Sequence, residues 1–248
     1  GLFCNANIKV DSVDGEEYVS PCQCGCPAGV NASGYINLIR NGKYQEAIDL
    51  IRETNPLPSI CGRICTNECE HGCTLIGTSK PVAIRELKKF VSEWEMKNAE
   101  RRPDHLKKDG EKVAIIGSGP AGLTAAYYLA AKGYRPTIFE KAEKAGGMLR
   151  FGVPKFRLPD YTLDYDLETI QDMGVEIKYN SPLGPDLTFD DLEEKGYKAT
   201  LLSIGQYLPR TLHLEGEDLP NIHTAIEFLT SRKYRYWENQ DEFKDQTV

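Results

Sequence analysis

The 248-residue chain reads as a two-domain α+β protein, a helical cysteine-bearing N-terminal domain followed by a Rossmann-like α/β domain. Three observations predict this. All eight cysteines fall in the first 73 residues, a glycine-rich turn between a strand and a helix opens at Gly117, and a polar, proline-bearing stretch separates the two. At about 150 residues per domain, length also favours two. The composition, 40% hydrophobic and 27% charged, is that of a chain able to bury a core. A net charge of −7 offers no basic face to duplex phosphates, so nucleic acid is not an expected partner. No apolar run approaches the ~18 residues of a membrane-spanning helix, so no membrane span is expected. The N-terminus lacks a signal-peptide pattern and the cysteines cluster rather than spread, which makes a cytoplasmic setting the expectation.

The first element to explain is the cysteine set. Cys22-Gln-Cys24-Gly-Cys26-Pro27 repeats at two residues, and Cys61, Cys65, Cys69 and Cys73 repeat at four, with Cys4 upstream. Short regular spacing points to metal ligation, and Gly25, Gly62 and Gly72 let the backbone wrap an inorganic core. Neither run has the CxxC knuckle of structural zinc sites, and thiolates from both together suit iron–sulfur clusters, which take four protein ligands each. Eight thiols suffice for two 4Fe-4S clusters. Zinc ligation, or a set of reduced structural thiols, is the alternative, and Cys4 is equally readable as a free thiol.

Between the runs, Tyr35, Ile36, Leu38 and Ile39, then Tyr44, Ala47, Ile48, Leu50 and Ile51, recur at helical spacing around Asn41-Gly42, a helical hairpin. Asn55-Pro56-Leu57-Pro58 stops its second helix. A third helix follows Pro81, with Ile84, Leu87, Val91 and Trp94 as its apolar stripe and Arg85, Lys88, Lys89, Glu93 and Glu95 expected on the polar side. We expect a cysteine domain over 1–100, a linker over 101–112 and the second domain over 113–248.

The second domain opens with the strand 112–116, which runs into Gly117-Ser118-Gly119-Pro120-Ala121-Gly122 and a helix over 123–132. Gly117 allows the turn, Gly119 a close approach of a pyrophosphate, and Gly122 close packing of helix on strand. A second strand ends at Glu140, placed to accept hydrogen bonds from ribose hydroxyls. His71, His105, His213 and His223 read as surface or structural residues, and Asp160, Asp164 and Asp166 as a solvated face. A helix is expected over 223–232, ahead of a polar tail from Trp237 to Val248.

After Glu140, the segment Lys141-Ala-Glu-Lys-Ala-Gly146-Gly147-Met148-Leu149 resembles the second glycine segment of two-dinucleotide-binding-domain flavoproteins, in which Pro120-Ala121 is also usual for FAD. Arg150-Phe-Gly152-Val-Pro154-Lys-Phe-Arg157-Leu-Pro159 is similar to the stretch after the FAD motif in the family of the glutamate synthase small subunit. That family includes the FAD subunit of NADH-dependent ferredoxin:NADP oxidoreductase and the N-terminal part of dihydropyrimidine dehydrogenase. Cys61-Gly-Arg-Ile-Cys65-Thr-Asn-Glu-Cys69-Glu-His-Gly-Cys73 followed by Pro81-Val-Ala-Ile resembles its second cysteine motif, and Ala199 to Gly205 its strand and glycine near the flavin.

The resemblance implies an α-helical ferredoxin-like domain with two 4Fe-4S clusters, then the first portion of an FAD-binding domain, with the NAD(P)H domain outside this chain. Cys26 would join Cys65 and Cys69 on one cluster, and Cys73 the earlier cysteines on the other. The family takes one ligand from a Glu or Gln of the following helix; Lys88 stands there and cannot ligate as an ammonium, leaving Cys61 or Glu86 in its place, or one cluster fewer. FAD would lie on Gly117 to Gly122, Glu140, Lys141, Gly146, Gly147 and Leu149, with Gly152, Pro154, Ile204 and Gly205 at the isoalloxazine. The implied activity takes a hydride from NAD(P)H and passes single electrons through the clusters to a larger partner subunit; no catalytic side chain is expected. Two other classes remain: a cluster-bearing docking module without catalysis, and a zinc-bound domain joined to a Rossmann unit for NAD.

Overall fold

The computed structural model describes residues 19–98, 109–219 and 222–230; Cys4, His105 and the polar tail lie outside them. The chain divides into two compact units between Arg102 and Pro103.

In the first unit the described elements are helical: α1 Pro21–Cys24, α2 Ala32–Arg40, α3 Tyr44–Arg52, α4 Pro58–Ile64, α5 Glu68–His71 and α6 Ile84–Asn98. The Asn31 side chain caps α2 by accepting from Gly34 N at 2.9 Å. Gly42, at φ 73°, supplies the left-handed residue that turns α2 into α3, so the hairpin forms where the spacing predicts it. Its apolar stripe packs as Val30, Ala32, Tyr35, Ala47, Ile48 and Ile51 against Ile84 and Val91 of α6, with Cys22, Cys26 and Cys69 on the border of this core.

Helix α6 departs from expectation. Lys88 and Glu95, assigned to its polar side, are buried. Glu95 turns inward to a two-point ion pair with Arg52 of α3, whose second bond is 2.7 Å, and Lys88 is covered on the same helix. A hydropathy stripe cannot anticipate a charge whose partner comes from another helix.

The second unit runs β1 Lys112–Ile116, α7 Pro120–Ala131, β2 Arg135–Phe139, α8 Met148–Phe151, α9 Asp160–Asp172, β3 Glu176–Lys178, α10 Phe189–Glu194 and β4 Tyr197–Leu202, with a short helical segment over 225–230. The four strands form one parallel sheet in the order β3-β2-β1-β4. Strand β1, apolar and buried over Val113–Ile116, is central, as parallel strands covered on both faces are. Because the strands are parallel, the loops after β1, β2 and β4 emerge at one edge, which is where an α/β sheet binds ligands. Asp166, expected on a solvated face, is fully buried in α9, while Asp160 and Asp164 pair with Arg150.

Candidate functional site: a dinucleotide cradle and a cysteine cluster

At the carboxyl edge of the sheet, three loops are stitched together by backbone bonds. Gly117 N donates to Phe139 O at 2.8 Å, Ser203 N to Ile116 O at 2.9 Å, and Gly146 N to Ser118 O at 3.1 Å. Gly117, at φ 104°, makes the turn that no side chain tolerates, since a Cβ there would stand 2.6 Å from Ser203 O. At Gly122 a Cβ would stand 2.0 Å from Gly117 O, so the absent side chain is what lets α7 sit against the turn. A Cβ at Gly119 meets nothing within 4 Å. Gly119 is the N-cap of α7, Pro120 its first residue, and no side chain caps it, so the first-turn N–H groups face that open space, a setting that favours an anion.

Glu140 ends β2 and is only 5% exposed. One carboxylate oxygen accepts from Ser118 N at 2.9 Å and from the Ser118 hydroxyl, and the other accepts from Ala142 N at 2.9 Å. The carboxylate thus ties the first glycine turn to the start of the second glycine segment. In that segment Gly146 and Gly147 both have positive φ, and a Cβ on Gly147 would stand 2.9 Å from Gly119 Cα. The open face at Gly119, the free amides and the buried carboxylate fit the pyrophosphate and ribose of a dinucleotide.

The remaining expected residues divide. Leu149 is buried on α8, and Gly152 and Pro154 are half-buried after it. Lys141 is exposed and lies 4.1 Å over the Tyr207 ring. Ile204 is exposed, and Gly205, at φ 69°, has nothing within 4 Å of its Cβ position. Two supporting residues escape the sequence reading. Arg150, buried, donates from Nε to Ala145 O at 3.0 Å and pairs with Asp164, holding the second glycine segment from below. Ser203 Oγ donates to Gly117 O at 3.0 Å, under the first turn. Neither belongs to a glycine pattern, so nothing in the spacing marks them.

In the first unit the two cysteine runs meet. A Cβ on Gly25 would stand 3.3 Å from Cys69 Cα, and one on Gly72 3.1 Å from Pro21 O, so these glycines let the runs touch. Beside them lies buried Tyr35, whose hydroxyl donates to Ile84 O at 2.8 Å. Burial raises its phenol far above the usual value, with Cys69, Cys26 and Cys22 next in effect. The Cys69 thiol is pushed up to about 11, chiefly by burial and then by Cys26, with Cys65 adding less and Lys88 opposing them. Cys22, Cys26 and Cys69 thus pack against the core that holds Tyr35, and Cys65 lies near Cys69. The Cys61 thiol instead faces Asn55 Oδ1 at 3.6 Å. Cys73 is half-buried beyond α5, and Cys24 ends α1. Glu86 is 56% exposed and pairs with Arg85 and Lys89. His71 is exposed beside Glu68.

A second tie holds the Cys65–Cys69 loop. Glu70 accepts from Arg85 N at 2.9 Å and from Asn67 Nδ2 at 2.8 Å, while the Arg85 guanidinium donates to Cys65 O at 3.1 Å. Asn67, at φ 55°, turns the loop. Among the described residues no three His, Cys, Asp or Glu side chains close on one point as a single metal ion requires. Thiolates on a cluster bind separate iron atoms and need not share a point, so the soft donors gathered here fit a cluster.

Residues 17–100 match the dihydropyrimidine dehydrogenase domain II, 4Fe-4S cluster family, and residues 115–178 the NAD(P)-binding Rossmann-like domain. The first segment is thus similar to a 4Fe-4S domain and the second to a nucleotide-binding one. The chain is 38% identical over 206 residues to the NADPH-Fe(3+) oxidoreductase subunit beta of Geobacter sulfurreducens, covering 82% of this chain and 30% of that one. It is 39% identical over 215 residues to the NAD-dependent dihydropyrimidine dehydrogenase subunit PreT of Escherichia coli K12, covering 85% and 51%. With the NADPH glutamate synthase small chain of Bacillus subtilis it shares 33% over 222 residues, covering 89% and 44%. The chain thus spans from under a third to about half the length of these relatives. A solved structure, Mycobacterium tuberculosis FprA with NADPH, matches 49% of this chain and 28% of that one at 25% identity and TM-score 0.44, too loosely to argue from. The two matched segments fall one in each unit, in the order the sequence predicts. No described helix is long and apolar enough to cross a membrane.

Proposed function

We propose that the chain is an electron-transfer module that moves electrons between NAD(P)H, a bound FAD and 4Fe-4S clusters, and exchanges them with a larger redox subunit in the cytoplasm. The observation that carries this reading is the pairing, in one chain, of an uncapped glycine turn beside a buried carboxylate with a set of half-buried thiols drawn from two loops. When bound, a flavin supplies exchange between hydride and single-electron chemistry, and the clusters carry single electrons.

The chain's own residues bind and orient. Gly119 and the α7 amides receive the pyrophosphate, and Glu140 holds the Ser118 turn in register for the ribose. Gly146, Gly147 and Leu149 line the same cradle, and Lys141, Gly152, Pro154, Ile204 and Gly205 stand where its far end would extend. Cys26, Cys65 and Cys69 grip one cluster. Cys22, Cys24 and Cys73, with Cys4 and Cys61 in reserve, are the thiols for a second. The α2–α3 core backs Cys26 and Cys69 of the first set with apolar side chains.

Anaerobic purification with iron, acid-labile sulfide and flavin quantified on one sample tests the proposal, with visible spectra before and after dithionite or NAD(P)H. Roughly eight iron atoms with sulfide and one FAD support two clusters and a complete cradle, on four irons per cluster. Zinc without sulfide overturns the cluster reading. Iron and sulfide without flavin overturns the flavin half.

A further inference from the structure

The loop between Cys65 and Cys69 is closed by a ring of hydrogen bonds in which Glu70 holds the middle place. One Glu70 carboxylate oxygen accepts from the Arg85 backbone N–H at 2.9 Å, and the other accepts from Asn67 Nδ2 at 2.8 Å. The Arg85 guanidinium returns to the loop at Cys65 O, 3.1 Å away. The bond that completes the ring reaches a metal-binding atom: Asn67 N donates to Cys65 Sγ at 3.4 Å. Asn67 makes it from a left-handed backbone, φ 55° and ψ 36°, which disfavours residues with a side chain and which the bond to Glu70 holds in place. A carboxylate needed only to cap α6 would spend one oxygen on the Arg85 amide, a first-turn donor without a partner inside the helix. The second oxygen goes instead to the cysteine loop.

We propose that Glu70 is a positioning residue for the cluster on Cys26, Cys65 and Cys69: it fixes the loop so that the Asn67 amide points at the Cys65 sulfur, and that hydrogen bond favours the reduced state. The inference rests on the cluster reading above. A single added electron makes the thiolate sulfurs more negative, and hydrogen bonds to those sulfurs are among the levers that set a cluster's potential. The N–H···S bond therefore strengthens on reduction, and loosening it makes the cluster harder to reduce. The sign distinguishes this role from that of a nearby charge, since removing the Glu70 negative charge alone would make reduction easier. Glu70→Gln does both: its oxygen keeps the Arg85 amide, and its NH2 faces Asn67 Nδ2, donor against donor. Adding Asn67→Asp restores an acceptor opposite that NH2, returns the negative charge to the pair and keeps a residue that tolerates the left-handed turn.

The test is an EPR-monitored redox titration of the whole chain with dithionite, with iron and sulfide measured on the same samples, for the unsubstituted protein, Glu70→Gln and Glu70→Gln/Asn67→Asp. Absence of iron and sulfide from the unsubstituted chain defeats the cluster reading itself, and the inference with it. With the cluster present, Glu70→Gln is expected to lower the reduced-to-oxidised ratio at the original midpoint about fivefold, the share of one hydrogen bond, and the double variant to return close to the original. Loss of iron in Glu70→Gln with full iron in the double variant also supports the assignment, because the tie is then what holds the loop to the cluster. A midpoint in Glu70→Gln that is unchanged or raised, a lowered midpoint in both variants, or loss of iron in both overturns it.

Discussion

Replacing Glu140 with glutamine tests whether this carboxylate organises the cradle before any nucleotide arrives. In the structure its two oxygens accept three donors: Ser118 N–H and Ser118 O–H on one, Ala142 N–H on the other. Glutamine has the same shape but turns one acceptor into an NH2. If its oxygen keeps Ser118, the NH2 faces Ala142 N–H, donor against donor, in a site that is 5% exposed. A buried donor left without an acceptor costs ~1–3 kcal/mol, and the remaining bonds lose their charge assistance. Because the penalty falls on a loop junction, it is expected as local opening, which accelerates exchange of the Ser118 and Ala142 amides about 5- to 150-fold at that energy. The assay is hydrogen–deuterium exchange of the nucleotide-free protein, with the β1 amides as internal reference. Exchange at Ser118 and Ala142 within a factor of two of the unsubstituted protein would refute the argument and leave Glu140 a role toward the ligand alone.

Other predictions separate fold from ligand. Gly122→Ala forces a methyl onto Gly117 O and is expected to cost ~1–3 kcal/mol or more by overpacking, visible as a lower melting temperature. Gly119→Ala meets open space, so its melting temperature should hold while dinucleotide binding by fluorescence weakens. Glu95→Gln leaves Arg52 buried without its charge partner and is expected to cost about 3–5 kcal/mol in denaturant unfolding of the first unit, with Arg52→Met/Glu95→Leu recovering most of it. Hydrogen bonds from Thr188 hold the Asp191 carboxyl below its usual value, so its contribution to α10 persists above the ordinary carboxylate range and is lost only as pH falls through the lowered value. An NMR titration of Asp191 should show this, with Thr188→Ala returning it toward normal.

Much of the fold was legible because its signals are local. Val113–Ile116, the glycine turn and Glu140 declare strand, turn and strand end within one short unit, and Asn41-Gly42 marks the hairpin turn in the same way. Helix α7 begins at Pro120, earlier than the apolar run suggests, because proline is at home in a first turn. Illegible were the buried charges. Lys88, Glu95 and Asp166 look like surface residues until tertiary structure supplies what lies opposite them, and Glu95's partner is 43 residues away. The cysteine spacing pointed to metal chemistry but not to which thiols meet. That depends on Gly25 and Gly72 letting two distant loops touch, and it sets Cys61 apart beside Asn55.

The strand order also carries a kinetic consequence. Strand β4, the last described strand, pairs with β1, the first described one, and Ser203 reaches back 86 residues to Gly117. The unit β1-α7-β2 closes over a short stretch, whereas β4 must wait until the chain has grown through Leu202, and contacts of such separation form slowly. The glycine turn is therefore framed early but completed late. A chain emerging from the ribosome thus carries a recognisable nucleotide motif well before the backbone beneath that turn is in place.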